Sequence, residues 1–138
     1  MQVKKAGTIL INLNTKKIGL VYRKNNDDYS FPKGHLEKDE TLQECAIRET
    51  EEETNRRNHL INENEIFILT YTNSLGEDVE CYYYLAFDDG ESEKEIKRKL
   101  KEQLVWVSPN KVKETLSYDN LRIMWHKIEK KVSNIFNI

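Results

Sequence analysis

Cysteine is scarce in this chain. Two thiols among 138 residues, Cys45 and Cys81, are too few for a disulfide framework and suit a reducing compartment, so a cytoplasmic location is expected. Proline and glycine are nearly as rare, at two and five. That scarcity leaves no Pro/Gly/Ser linker, and the length fits a single domain spanning 1–138. Long apolar runs are missing too. Stretches such as Thr8 to Ile11 fall far short of the roughly 20 residues that cross a bilayer, so no membrane partner is expected. Neither sign of charge dominates: 24 acids against 22 bases give a net charge of −2. Bulk nucleic-acid binding through a global basic field is thereby disfavoured. The opening MQVKKAGTILI lacks a small-residue cleavage site and reads as a strand rather than a signal peptide.

What is present is a strand and helix pattern without internal repeats. Residues 4–13 and 17–24 are β-rich and separated by Asn14-Thr15-Lys16, which predicts a hairpin. Residues 25–28 (NNDD) read as a loop, and Tyr29 to Phe31 as a short extended piece stopped by Pro32. Thr41-Leu-Gln-Glu44 has the capping-box pattern and predicts a helix to about Thr54. Strands are expected near 65–73 and 78–87, a charged loop over 88–102, and a strand from Leu104 to Val107. Ser108-Pro109 is a helix start. A last helix lines up Leu121, Met124, Trp125, Ile128, Val132 and Ile135 as one apolar stripe. The order predicts an α/β (α+β) sandwich in which helices cover a mixed sheet.

The unusual feature is the helix after Thr41. Glu49, Glu52 and Glu53 lie at i, i+3 and i+4, within one arc of a helix. Leu42, Cys45 and Ala46 occupy the same arc one turn earlier, so these carboxylates continue the stripe that faces the protein. Partly buried like charges repel and lose hydration. A hard divalent cation such as Mg²⁺, which takes carboxylate oxygens, relieves both costs. An isolated Glu-Glu pair is usually a solvated face. Here Gly34, Glu40, Arg48, Glu49, Glu52 and Glu53 stand at the spacing G-x5-E-x7-R-E-x2-E-E. Composition alone yields that spacing in roughly a few of ten million windows.

The spacing resembles the Nudix box, G-x5-E-x7-R-E-U-x-E-E-x-G-U with U aliphatic, over Gly34 to Arg56. Three positions depart from it: Thr50 and Arg56 fill U slots, and Asn55 replaces the glycine. Asn is the next best residue for a left-handed helix end. The stem of Arg56 is expected to cover apolar surface while its head reaches water. The resemblance implies a Nudix-type α/β/α sandwich and hydrolysis of a nucleoside diphosphate linked to another group. It implies that Glu49, Glu52 and Glu53 hold Mg²⁺ or Mn²⁺, joined by the Gly34 carbonyl. Arg48 then orients a glutamate, and Glu40 assists through water. This agrees with the chemistry of a polyanionic substrate, which needs charge neutralisation, an activated water and a fixed line of attack.

Phe31-Pro-Lys-Gly-His35 ahead of the box, read as a turn, resembles the asymmetrical diadenosine tetraphosphate hydrolases, which cut their substrate into ATP and AMP. Lys33 is expected to meet phosphate and His35 to donate a hydrogen bond. The likeness extends to Tyr71, to Tyr83-Tyr84-Leu85-Ala86, to Trp106 and to Tyr118. It implies that Tyr71, Tyr83 and Tyr118 contact the base, while strand alternation assigns at least one of Tyr82, Tyr83 and Tyr84 to the core. Glu102, four residues before Trp106 in a loop that also holds Glu91, Glu93 and Glu95, is the expected general base. Glu49 and Glu53 are the alternatives. Triphosphorylated RNA, held by Lys97, Arg98, Lys99 and Lys101, and diphosphoinositol phosphates are the other substrates weighed, and a non-catalytic nucleotide-binding module is the rival class. The chain is expected to act as a monomer or weak dimer.

Overall fold

The computed structural model describes residues 2–94 and 102–137. Eight strands and three helices are found among them, in the order β1 (Gln2–Asn12), β2 (Lys17–Arg23), β3 (Asp28–Ser30), β4 (Lys33–His35), α1 (Leu42–Thr54), β5 (Arg56–Leu60), β6 (Phe67–Thr72), β7 (Asp78–Glu91), β8 (Glu102–Val107), α2 (Pro109–Thr115) and α3 (Asp119–Phe136). The sheet runs β3-β2-β1-β7-β5, with β4 on β1, β6 on β7 and β8 on β2. It is mixed: β1 pairs parallel with β7, while β2 and β6 join their neighbours antiparallel.

The expected hairpin forms with Leu10 opposite Gly19 and Asn12 opposite Lys17. Burial alternates with strand period at the start of β1 and becomes continuous from Ala6 to Ile11, because both faces of the sheet are covered. On one face Ile9, Ile11, Phe31 and Tyr83 pack against Leu121, Met124, Trp125, Ile128 and Val132 of α3. On the other, Ala6 and Tyr84 meet Cys45 and Ala46 of α1. Tyr83 and Tyr84 are therefore both core residues, one on each face.

Four expectations need correction. The PKGH stretch is not a turn: Lys33–His35 forms β4, with Ala6 opposite Gly34 and Gly7 opposite Lys33. Arg56–Leu60, read as no element, is β5 and pairs with the far end of β7. Its sequence, RRNHL, hides this because only Asn58 is buried. β7 runs on to Glu91, into the stretch read as a loop, since Asp88 and Glu91 find partners on β5. Finally, the head of Arg56 does not reach for water. Its Nε and one terminal nitrogen clamp both oxygens of buried Asp88 at 2.8 and 2.7 Å, and the guanidinium lies over the Trp106 ring.

Candidate metal and phosphate site

The site is built where α1 crosses β4. Thr41 caps the helix, accepting from the Glu44 amide while the Glu44 side chain accepts from Thr41. Asn55 ends the helix at φ 60°, ψ 29°, and its amide donates to the Glu51 carbonyl, so it takes the left-handed conformation expected of the missing glycine. Between these ends the buried stripe is Cys45, Ala46, Thr50 and Thr54. Thr50 is held there by a 2.7 Å hydrogen bond with Thr8, and the Thr54 hydroxyl returns to the Thr50 carbonyl.

Gly34 lies directly beneath Glu49. A Cβ placed there would sit 1.6 Å from Glu49 Oε2, so only glycine lets the strand and the carboxylate approach. Cys45 Sγ donates to the Gly34 carbonyl at 3.6 Å. Glu53 reaches the same strand and accepts from the Lys33 amide at 3.1 Å. Arg48 ties the remaining groups together. It donates to both oxygens of Glu40 (2.6 and 3.0 Å), to Glu49 at 2.6 Å, to Glu52 at 3.0 Å and to the His35 carbonyl at 3.0 Å. The guanidinium holds Glu40 below the usual carboxylate range.

The three box glutamates are not equally buried. Glu49 is largely covered, at 15% side-chain exposure, whereas Glu52 is half exposed, at 49%. The expectation of partial burial thus holds for Glu49 and Glu53 and fails for Glu52, which sits on the outer edge of the arc. Burial pushes the Glu53 carboxyl up to about 8, reinforced by the negative charge of Glu102 and opposed by Lys33. Glu49 is raised by burial too, with Arg48 opposing. Glu102, at the start of β8 opposite Arg23 of β2, therefore lies within electrostatic reach of Glu53.

The donor set suits a hard cation: three carboxylates and a backbone carbonyl, all oxygen. Among the described residues no group of three His, Cys, Asp or Glu is already drawn together at ligating distance. Glu49 and Glu52 instead share the Arg48 guanidinium.

Beside the carboxylates lies a cavity of about 700 Å³, walled by Lys33, Tyr71 and Tyr118 among the expected residues and by Lys5, Arg23 and Leu69 among the unexpected ones. Tyr71 is half-buried and Tyr118 exposed, so both offer ring surface. Tyr83 also borders the cavity, but it is buried and packs edge-on to Phe31. It forms the floor rather than a free stacking face. His35 is exposed at the end of β4. Asp28, read as loop, is buried at 4% exposure. It takes a two-pronged contact from Arg23 at 2.8 and 2.5 Å and a hydrogen bond from the Tyr118 hydroxyl. Composition gives no sign of this pairing, because the partners stand five and ninety residues away. Glu91 closes β7, Glu93 is exposed, and Glu95, Lys97, Arg98, Lys99 and Lys101 lie outside the described residues. No helix among the described residues is long and apolar enough to cross a membrane.

Solved structures share this architecture. A crystal structure of a C. elegans Ap4A hydrolase superposes with a TM-score of 0.73 at 21% identity, covering 96% of this chain and 99% of that one. A binary complex of a C. elegans Ap4A hydrolase gives 0.76 at 22%, over 96% and 98%. A NUDIX hydrolase from Nitrosomonas europaea gives 0.75 at 16%, over 95% and 90%. At such identities the likeness establishes the fold. Among curated proteins, mRNA-decapping enzyme subunit 2 of Saccharomyces cerevisiae is 45% identical over 47 residues, which is 34% of this chain and 5% of that protein. The chain thus spans a small part of that relative's length. Residues 1–126 match the NUDIX domain, and on that match the chain belongs to the NUDIX family.

Proposed function

We propose that this NUDIX chain is a Mg²⁺- or Mn²⁺-dependent pyrophosphohydrolase acting on dinucleoside polyphosphates, cutting diadenosine tetraphosphate into ATP and AMP. The observation that carries the reading is the juxtaposition of the Gly34–Glu49–Glu53 carboxylate cluster with a cavity walled by lysines and tyrosines. Glu49, Glu52, Glu53 and the Gly34 carbonyl are the groups that would hold the metal. The ion supplies charge neutralisation for the phosphates and an acidified water. Arg48 holds Glu49, Glu52 and Glu40 in register through fixed donors. Lys33 offers its ammonium to phosphate, and its amide fixes Glu53.

Glu102 is the proposed general base, with Glu53 or Glu49 as alternatives. The negative charge of Glu102 is felt at Glu53, whose carboxyl pKa is raised by burial and Glu102 together, and this proximity to the box supports the choice of Glu102. Tyr71 and Tyr118 would hold an adenine, and such stacking contributes about 1–3 kcal/mol per base. The C. elegans Ap4A hydrolases that share the fold favour this substrate class. The short match to a decapping enzyme favours a capped or triphosphorylated RNA end as the second reading.

The test is turnover of diadenosine tetraphosphate against triphosphorylated RNA, each with Mg²⁺ and with EDTA. The proposal expects EDTA-sensitive cleavage of the dinucleotide and little change with salt. Preference for RNA with a steep salt dependence would replace it with the second reading. Tight nucleotide binding without turnover would point to a non-catalytic module.

A further inference from the structure

We propose that Lys5 is a second phosphate-binding residue of the cavity, and that with Lys33 it selects substrates carrying a chain of more than two phosphates. The proposal rests on the reading of the cavity as a polyphosphate site, and it adds a residue outside the box and outside the PKGH stretch.

The observation starts with β1. Lys5 is partly buried and immediately precedes the buried run of the strand, Ala6 to Ile11. Its register partners are His35 on one side and Cys81 on the other. Leu69 of β6 also pairs with Cys81, so Lys5 and Leu69 stand on the same face of the sheet, and both line the cavity. Lys33 pairs with Gly7, two residues along β1, and lines the same cavity. The two lysines are thus diagonal neighbours on adjacent strands, with backbones about 7–8 Å apart. They stand at two separate points along one cavity wall, so a chain of several phosphates can meet both where a shorter one meets a single ammonium.

The charges on this wall are unevenly compensated. Arg23 is committed to Asp28. Lys5 and Lys33, in contrast, form no ion pair among the described residues. A half-buried ammonium without a partner loses hydration and meets like charge. Consistently, burial and the neighbouring Lys33 and Arg23 lower the Lys5 pKa, with Cys81 and Glu53 opposing. Such an arrangement costs stability unless an anion uses it. Glu53 meets the Lys33 strand, so the box carboxylates lie at the Lys33 end, and the Tyr71 and Tyr118 rings border the same cavity. A phosphate chain threaded between these features passes Lys5.

The experiment reads binding, not turnover. Inorganic pyrophosphate and inorganic tripolyphosphate are titrated calorimetrically into the wild-type chain, Lys5→Met and Lys5→Arg, all with Mg²⁺. Met keeps the apolar stem, so folding should survive, and circular dichroism checks it. A charge-assisted contact is worth about 10-fold or more in affinity. Lys5→Met should therefore lose about 10-fold for tripolyphosphate and less than about 2-fold for pyrophosphate, and Lys5→Arg should recover most of the loss. Equal losses for both anions, no loss, or no tripolyphosphate binding by the wild type would overturn the inference. Should Lys5-dependent tripolyphosphate binding appear in a chain that leaves diadenosine tetraphosphate intact, the substrate proposal fails while the Lys5 site stands.

Discussion

Glu53 offers the sharpest perturbation. Its carboxyl is driven from the ordinary 4.5 up to about 8, first by burial and then by Glu102. Because the folded value exceeds the unfolded one, the folded chain holds the proton more tightly. Its contribution to stability is therefore fully present below about pH 4.5 and is lost as pH rises toward 8. At about 1.36 kcal/mol per pH unit, the full loss is on the order of 5 kcal/mol. Glu53→Gln keeps the shape and the neutral charge and should remove this dependence. Urea denaturation of EDTA-treated protein between pH 5 and 9 measures it. Groups remote from Glu53 contribute equally to both proteins and cancel in the difference. The variant should gain on the wild type by a few kcal/mol between pH 5 and 8, and the gap should level off above that. On the proposed metal site Mg²⁺ would bind the ionised form, so adding it at pH 8 should stabilise the wild type by more than it stabilises Glu53→Gln. Parallel stability curves for the two proteins would refute the buried-carboxylate reasoning.

Other expectations follow from the same geometry. Gly34→Ala places a methyl group 1.6 Å from Glu49 Oε2, so Glu49 must move; turnover should fall at least about 100-fold, with a stability cost of about 1–3 kcal/mol in urea. Asp28→Ala removes the carboxylate that Arg23 and the Tyr118 hydroxyl share; because Arg23 is a third exposed and can turn to water, thermal unfolding should show a loss of about 1–3 kcal/mol. Since Arg23 holds Asp28 below the usual carboxylate range, its stabilisation is present above about pH 4 and lost as pH falls through the depressed folded value, which an acid titration of wild type against Asp28→Asn will show. Asn55→Ala must adopt φ 60° without the tolerance of Asn, costing about 1 kcal/mol, whereas Asn55→Gly should be neutral or stabilising.

Much of the site could be read before folding, because it is written in local periodicity. The capping box, the i, i+3, i+4 carboxylates and the left-handed stop at Asn55 depend on one helix, and one helix obeys its own geometry. Glu52 escaped that logic: a helical arc says which way a residue leans, not where the neighbouring sheet ends. β5 was hidden because RRNHL carries no alternating apolar signal. Its pairing comes from β7 and from the Arg56–Asp88 clamp, thirty-two residues apart. Asp28 and Lys5 were missed for the same reason. A polar residue in a loop or strand becomes a buried partner or a cavity wall only once distant elements close over it.

The most direct measurement of the central claim is product analysis. The chain is incubated with Mg²⁺ and diadenosine tetraphosphate in ¹⁸O-water, and the nucleotides are separated and weighed. An asymmetrical pyrophosphohydrolase yields ATP and AMP, with a single labelled oxygen in one of the two. ADP as the only product, or no turnover at all, would contradict it.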